Sequence, residues 1–227
     1  MSFDPDRVSA ITVDSYSTLV DVDSVEQALT DRVENPEPVS RLWRARSLEY
    51  TMVANALEEY QSFFEMNRDA LQYALDAHDV DVSTEERDEI LETYHDLEVF
   101  PDVREGIERL REGGYDVYVL SNGNPEMLES MVEGAEIGDL LAGVISADEI
   151  STFKPDRELY RHAAARTGTP IDELAHVSAV WFDVQGAQYA GAQGVWADRK
   201  GLPWEPFGSE PDLTVETFYD LAEELGA

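Results

Sequence analysis

Four residues combine reactive side chains with positions a fold could use: Asp14 in "ITVDSYSTLVD", Ser121 in "LSNGNP", Lys154 in "TFKPD" and Asp183 in "HVSAVWFD". An aspartate between an apolar run and a string of hydroxyl residues is either a turn residue or a nucleophile, since a buried carboxylate is costly without compensation. Ser-Asn-Gly after an apolar run is ordinary turn chemistry. In its functional sense it offers a hydroxyl and adjacent N–H groups to an anion near a helix start. Lys154 is one of only two lysines. Beside carboxylates it could hold a nucleophilic aspartate ionised and bind a substrate carboxylate; on the surface it would be an exposed ion pair.

These residues need strands to present them. "VSAITVD" (8–14) has the β-rich composition of a buried strand. From about Val22 to Leu97 the apolar spacing turns helical, and Ser83 with Glu86 forms a capping box ahead of the last helix of that stretch. After "FPDV", strands "YDVYVLS", "GVISA", "HVSAVWFD" and "GVWADR" alternate with helical segments, among them "REGIERLREGG", one from Pro125 and "ELYRHAAARTG". Such alternation predicts an α/β fold, a Rossmann-like parallel sheet with helices on both faces. The helical stretch interrupts it as an inserted cap, giving a core of 1–21 and 98–227 and a cap of 22–97. Ligands in such sheets sit at the carboxyl ends of the strands. The expectation is therefore that Asp14, Ser121 and Asp183 end strands, with Lys154 in the loop after "GVISA".

At 227 residues and 43% hydrophobic content the chain can bury a substantial core. Its 49 Asp and Glu against 16 Lys and Arg, a net charge of −33, are spread along the whole sequence. Such a surface repels nucleic acid and anionic lipid, so neither is an expected partner, and it suits a halophile's protein kept soluble in concentrated salt. The absence of cysteine excludes disulfides and thiolate catalysis. The start lacks a signal-like pattern and no apolar run reaches spanning length, so a cytoplasmic location is expected. His78, His95, His162 and His176 show no metal spacing and read as core or helix-face residues; Trp181, Trp196 and Trp204 read as core or edge aromatics.

The order of these segments resembles the haloacid dehalogenase superfamily over essentially the whole chain: strand-D-x-Y-x-T-L, helical insert, strand-SNG, K-P-D with Tyr160 six residues beyond Lys154, then V-S and Asp183 with G-A. "DSYSTLVDVDSV", "LWRARSLEYT", "LSNGNPEML", "FKPDRELY" and "HVSAVWFDVQGA" are most similar to its L-2-haloacid dehalogenase branch. The resemblance implies that Asp14 attacks the halogen-bearing carbon of an (S)-2-haloacid with inversion, and that water then cleaves the ester to an (R)-2-hydroxyacid. It implies that Thr18, Lys154 and Asp183 position the nucleophile and the water. Ser121 and Lys154 would take the substrate carboxylate, and Arg44 and Asn122 the halide. Tyr16, Tyr160, Ser178 and Phe182 fall on matching pocket positions. Homodimerisation is implied by the branch as well.

Two positions separate this branch from the superfamily's phosphatases. Tyr16 stands where those carry an acid that protonates an alkoxide, and Ser178 where they carry an Asp that helps hold Mg²⁺. A halide leaves unprotonated, and a site short of one hard carboxylate binds magnesium poorly, so no metal and no cofactor are expected. The chain also departs from the branch: Ser17 replaces a Gly, Ala45 a Gln, Val180 an Asn and Phe182 a Trp. Val180 removes an amide near Asp183. A superfamily phosphatase, and a weak or silent homologue that binds small carboxylates, are the alternatives.

Overall fold

The computed structural model describes residues 2–30 and 32–227. Five predicted parallel strands form: β1 (Ala10–Val13), β4 (Asp116–Ser121), β5 (Gly143–Ser146), β6 (Leu174–Ser178) and β7 (Gln193–Ala197). A sixth, β8 (Leu213–Val215), extends the edge, giving the order β5-β4-β1-β6-β7-β8 with every pairing parallel. β1 lies between β4 and β6, and all four of its residues are buried, as a strand covered by helices on both faces must be.

Alternation along the strands sends side chains to two cores. Ile11, Val13, Ala175 and Val177 face α5 (Val103–Glu112) and α9 (Phe218–Glu224). Ala10 and Leu174 face the opposite side, where α7 (Arg157–Thr167) and α8 (Trp181–Ala190) pack. The helix α6 (Pro125–Gly134) follows β4 across the Ser-Asn-Gly turn.

The insert contains α1 (Val25–Thr30), α2 (Pro36–Leu57), α3 (Phe63–Ala77) and α4 (Thr84–Glu92). The Ser83–Glu86 capping box starts α4, and a second, Ser62–Glu65, starts α3. Its interior is aromatic and aliphatic: Trp43, Leu71, Leu75, Ile90 and Tyr94. A short antiparallel pair missed in the sequence, β2 (Val20–Asp21) with β3 (Glu98–Val99), joins the ends of the insert where it leaves and rejoins the sheet.

One expectation needs correcting. "HVSAVWFD" is not a single strand: β6 stops at Ser178, whose Oγ accepts the Val180 N–H at 3.1 Å, and α8 begins at Trp181. Val, Trp and Phe continue the β-like composition past the point where this hydrogen bond turns the chain. Asp183 therefore lies in the first turn of a helix and not at a strand end.

Candidate active site

The centre is a three-membered ion cluster. Asp14, immediately after β1, is 7% exposed; Lys154, in the loop after β5, is 2% exposed, and Asp183 is 1% exposed. The Lys154 ammonium bridges both carboxylates, donating to Asp14 Oδ1 at 2.7 Å and to Asp183 Oδ2 at 2.8 Å. Thr18 Oγ1 donates to Asp14 Oδ2 at 2.9 Å and accepts the Ala179 N–H at 2.9 Å, fastening the loop after β1 to the loop after β6. Tyr160 on α7 donates its hydroxyl to Asp183 Oδ1 at 2.7 Å. It can approach because Gly186 offers no side chain: a Cβ there would stand 2.6 Å from the Tyr160 hydroxyl. Among the described residues no three His, Asp or Glu side chains converge as metal ligands.

Burial sets the ionisation of these groups, modified by their neighbours. Burial, together with the charge of Asp183, raises the Asp14 carboxyl above its ordinary range against the pull of Lys154. Asp183 goes the other way: burial would raise it, but His176 and Lys154 overcome this and hold it well below the usual carboxylate range. Burial would lower Lys154, yet Asp14 and Asp183 raise it, so the ammonium stays charged.

Above the cluster opens a cavity of about 410 Å³, lined by more apolar than polar surface. Of the residues singled out in the sequence, Asp14, Tyr16, Arg44, Asn122, Lys154, Phe182 and Asp183 line it; Thr18, Ser121, Tyr160 and Ser178 stand behind it. Ser121 is fully buried, its Oγ 2.6 Å from Ser15 Oγ and accepting the Gly123 N–H at 2.9 Å. Asn122 accepts the Lys154 backbone N–H at 2.9 Å and so seats the lysine loop. Tyr16 packs against Phe63 and Tyr94, its buried hydroxyl without a partner. Arg44 reaches the cavity from α2 and pairs with Asp23, which also binds Lys200. Arg46 points elsewhere, pairing with Glu49 and lying over Tyr73.

Three positioning residues escaped the sequence. Asp23 anchors Arg44. Arg199 donates to the Thr18 carbonyl at 2.9 Å and to Asp102 at 2.8 Å, tying the nucleophile loop to the segment that follows β3. His176 on β6 reaches Asp183, with Nε2 3.0 Å from Oδ1. Asp102 and Arg199 are distant in sequence. His176, however, had a readable signal for its place on a strand: it alternates with Ser178 on β6 as Thr12 of β1 alternates with Asp14 just beyond that strand.

A family model described as haloacid dehalogenase-like hydrolase matches residues 8–191. The chain belongs to that family. Among relatives of this hydrolase, (S)-2-haloacid dehalogenase 4A of Burkholderia cepacia is 34% identical over 201 residues, covering 88% of this chain and 87% of the relative. The (S)-2-haloacid dehalogenase of Pseudomonas sp. (strain YL) is 29% identical over 96% of this chain and 94% of its own. A solved dehalogenase superposes on the hydrolase with a TM-score of 0.93 at 31% identity, over 98% and 99% of the two chains. The L-2-haloacid dehalogenase of Xanthobacter autotrophicus, solved with chloropropionic acid covalently bound, gives 0.90 at 26% identity over 97% and 99%.

Proposed function

We infer that this hydrolase converts (S)-2-haloacids to (R)-2-hydroxyacids through an ester on Asp14. The observation that carries the reading is a carboxylate at the floor of a largely apolar cavity, with one oxygen held by Lys154 and the other by Thr18. A carboxylate fixed at both oxygens and raised by burial is preorganised and more basic than a free one, which favours attack on carbon provided Lys154 keeps it ionised. An Asp14 oxygen displaces halide from the substrate's Cα, and the bond that forms is the ester C–O bond. Arg44 and Asn122 receive the halide. The third N–H of Lys154 takes the substrate carboxylate, with Ser121 supporting that side through Ser15. Water then adds to the Asp14 carbonyl carbon and gives its proton to Asp183. Collapse of the adduct breaks the bond to the substrate oxygen, which takes the adduct's hydroxyl proton and leaves as the hydroxyacid; Asp14 returns as the carboxylate, and Asp183 passes its proton to solvent.

Tyr16 argues against phosphate ester hydrolysis. Burial, with Tyr94 and Asp14 adding to it, pushes its phenol well above the ordinary tyrosine value, so it is a poor acid for an alkoxide leaving group. Residues 22–97 serve as the cap over a catalytic core of 1–21 and 98–227, with the β2–β3 pair as the joint. The exposed Met52, Val53 and Leu57 of α2 support a homodimer. The acid-rich surface supports a cytoplasmic protein of a salt-rich cell.

The test is bromide release from (S)-2-bromopropionate in concentrated KCl, set against p-nitrophenyl phosphate hydrolysis with and without Mg²⁺. Halide release that is lost in Asp14→Asn is expected. Phosphate release dependent on Mg²⁺ would replace this reading with a phosphatase. Binding of the haloacid without either product would leave the silent homologue, which the apolar Val180 beside Asp183 favours.

A further inference from the structure

His176 has no place in the chemistry above, yet it is built into the cluster. Parallel pairing sets His176 of β6 across from Thr12 of β1. Each is 1% exposed, and His176 Nδ1 lies 2.9 Å from Thr12 Oγ1. The imidazole stands edge-on to Tyr160, ring centroids 5.5 Å apart, and its Nε2 lies 3.0 Å from Asp183 Oδ1. That nitrogen has no aligned hydrogen-bond partner, so the contact with Asp183 is electrostatic. A bare Nε2 would set its lone pair against a carboxylate oxygen, so the stable arrangement has the proton on Nε2 and the Thr12 hydroxyl donating to Nδ1. Ala179 and Val180, just before α8, add no polar side chain.

We propose that His176 is a positioning residue for Asp183 that serves the water step and not the attack on carbon. Asp14 forms the ester, and its oxygens accept hydrogen bonds from Lys154 and Thr18; His176 touches it only through a charge interaction that is the last of its influences, whereas on Asp183 the same imidazole is the largest favourable one. Once Asp14 is esterified it is neutral, and Lys154 loses one of its two anionic partners. Asp183 must then orient water and accept its proton while Oδ1 stays fixed. Tyr160 and His176 are the groups that fix Oδ1. This assignment rests on the dehalogenase reading.

The two half-reactions separate in rapid-quench single turnover with (S)-2-chloropropionate, following chloride for ester formation and the intact-protein mass for ester decay. His176→Phe keeps a ring and removes both nitrogens. Its chloride burst should stay within about twofold of wild type while ester decay slows about tenfold to hundredfold, the reach of one buried charged contact. His176→Gln, which restores a side-chain N–H, should decay faster than the Phe variant. Thr12→Val, which frees the imidazole without touching Asp183, should slow only ester decay, and by less. Should His176→Phe fail to fold, the Gln and Val variants decide alone. Equal slowing of burst and decay would mean a merely structural role and overturns the proposal; unchanged decay in every variant does the same. A wild type that releases no chloride would remove the dehalogenase reading itself, whereas normal wild-type turnover with unaffected variants removes only the role of His176.

Discussion

Replacing Lys154 by Met keeps most of the buried stem and deletes the ammonium that lies 2.7 Å from Asp14 and 2.8 Å from Asp183. Removing one partner of a buried pair costs about 3 to 5 kcal/mol when the other stays charged. Two carboxylates are left, and they differ. Asp183 retains the Tyr160 hydroxyl and His176, whereas Asp14 retains the Thr18 hydroxyl. Asp14 is therefore the group that takes up a proton, its carboxyl moving further above the ordinary carboxylate range once the pull of Lys154 is gone. Its folded pKa then exceeds the unfolded one, so the folded state binds more protons between the two values, and stability is gained as pH falls through that window. Urea unfolding of wild type and Lys154→Met in fixed KCl at pH 8 and pH 5 measures this. The variant should be less stable by about 3 kcal/mol at pH 8, with a clearly smaller deficit at pH 5. Halide release should be lost at both. A deficit independent of pH would refute the assignment of Asp14 as the carboxylate that depends on Lys154.

Two backbone substitutions test how the site is held. Ser17, in the turn where its N–H meets the Val20 carbonyl at 2.8 Å, has φ of +69°. Ser17→Gly should therefore raise stability by up to about 1 kcal/mol, the left-handed penalty less the extra chain entropy of glycine, and a lowered urea midpoint would contradict this. Gly186→Ala places a Cβ 2.6 Å from the Tyr160 hydroxyl and 2.8 Å from Pro155 Cβ. It should cost about 1 to 3 kcal/mol and lower kcat. Gly134→Ala at the end of α6, with nothing within 4 Å, should be neutral or stabilising, and equal loss in both would show that overpacking at Tyr160 is not the cause.

What was legible in the sequence follows from how local each signal is. Asp14, Lys154 and Asp183 were singled out because their motifs occur in a fixed order, and the structure brings both carboxylates within hydrogen-bond distance of the Lys154 ammonium. Alternating apolar segments sufficed for five of the six parallel strands, but β8 is a three-residue edge strand and left no period to read. Asp183 was misplaced on a strand because Val180, Trp181 and Phe182 have strand-like composition, while the turn is made by hydrogen bonds from Val180 to Ser178 and from Ala179 to the distant Thr18. Asp23 looked like one of many surface acids, and only the fold shows it between Arg44 and Lys200. His176, read as a core or helix-face residue, lies buried on β6; its place on the strand could be read, but not its partner, which lies on the next helix.

The charge of the whole molecule bears on how an anionic substrate reaches this site. At −33 the protein repels a haloacid at long range, while Arg41, Arg44 and Lys154 line the cavity itself. The two influences differ in reach. Repulsion acts across solvent, where the screening length falls from about 10 Å at 0.1 M salt to about 3 Å at 1 M, but contacts with the buried Lys154 and the part-buried Arg44 are screened far less. Added salt should therefore remove the repulsion and leave the capture intact, so kcat/KM for (S)-2-chloropropionate should rise with KCl while the single-turnover rate at saturating substrate changes little. Far-ultraviolet circular dichroism over the same range separates this from salt-dependent folding, which would move both rates together. A kcat/KM that falls with salt while the fold is intact would mean that the cavity's cations, and not the acidic surface, dominate the field the substrate meets.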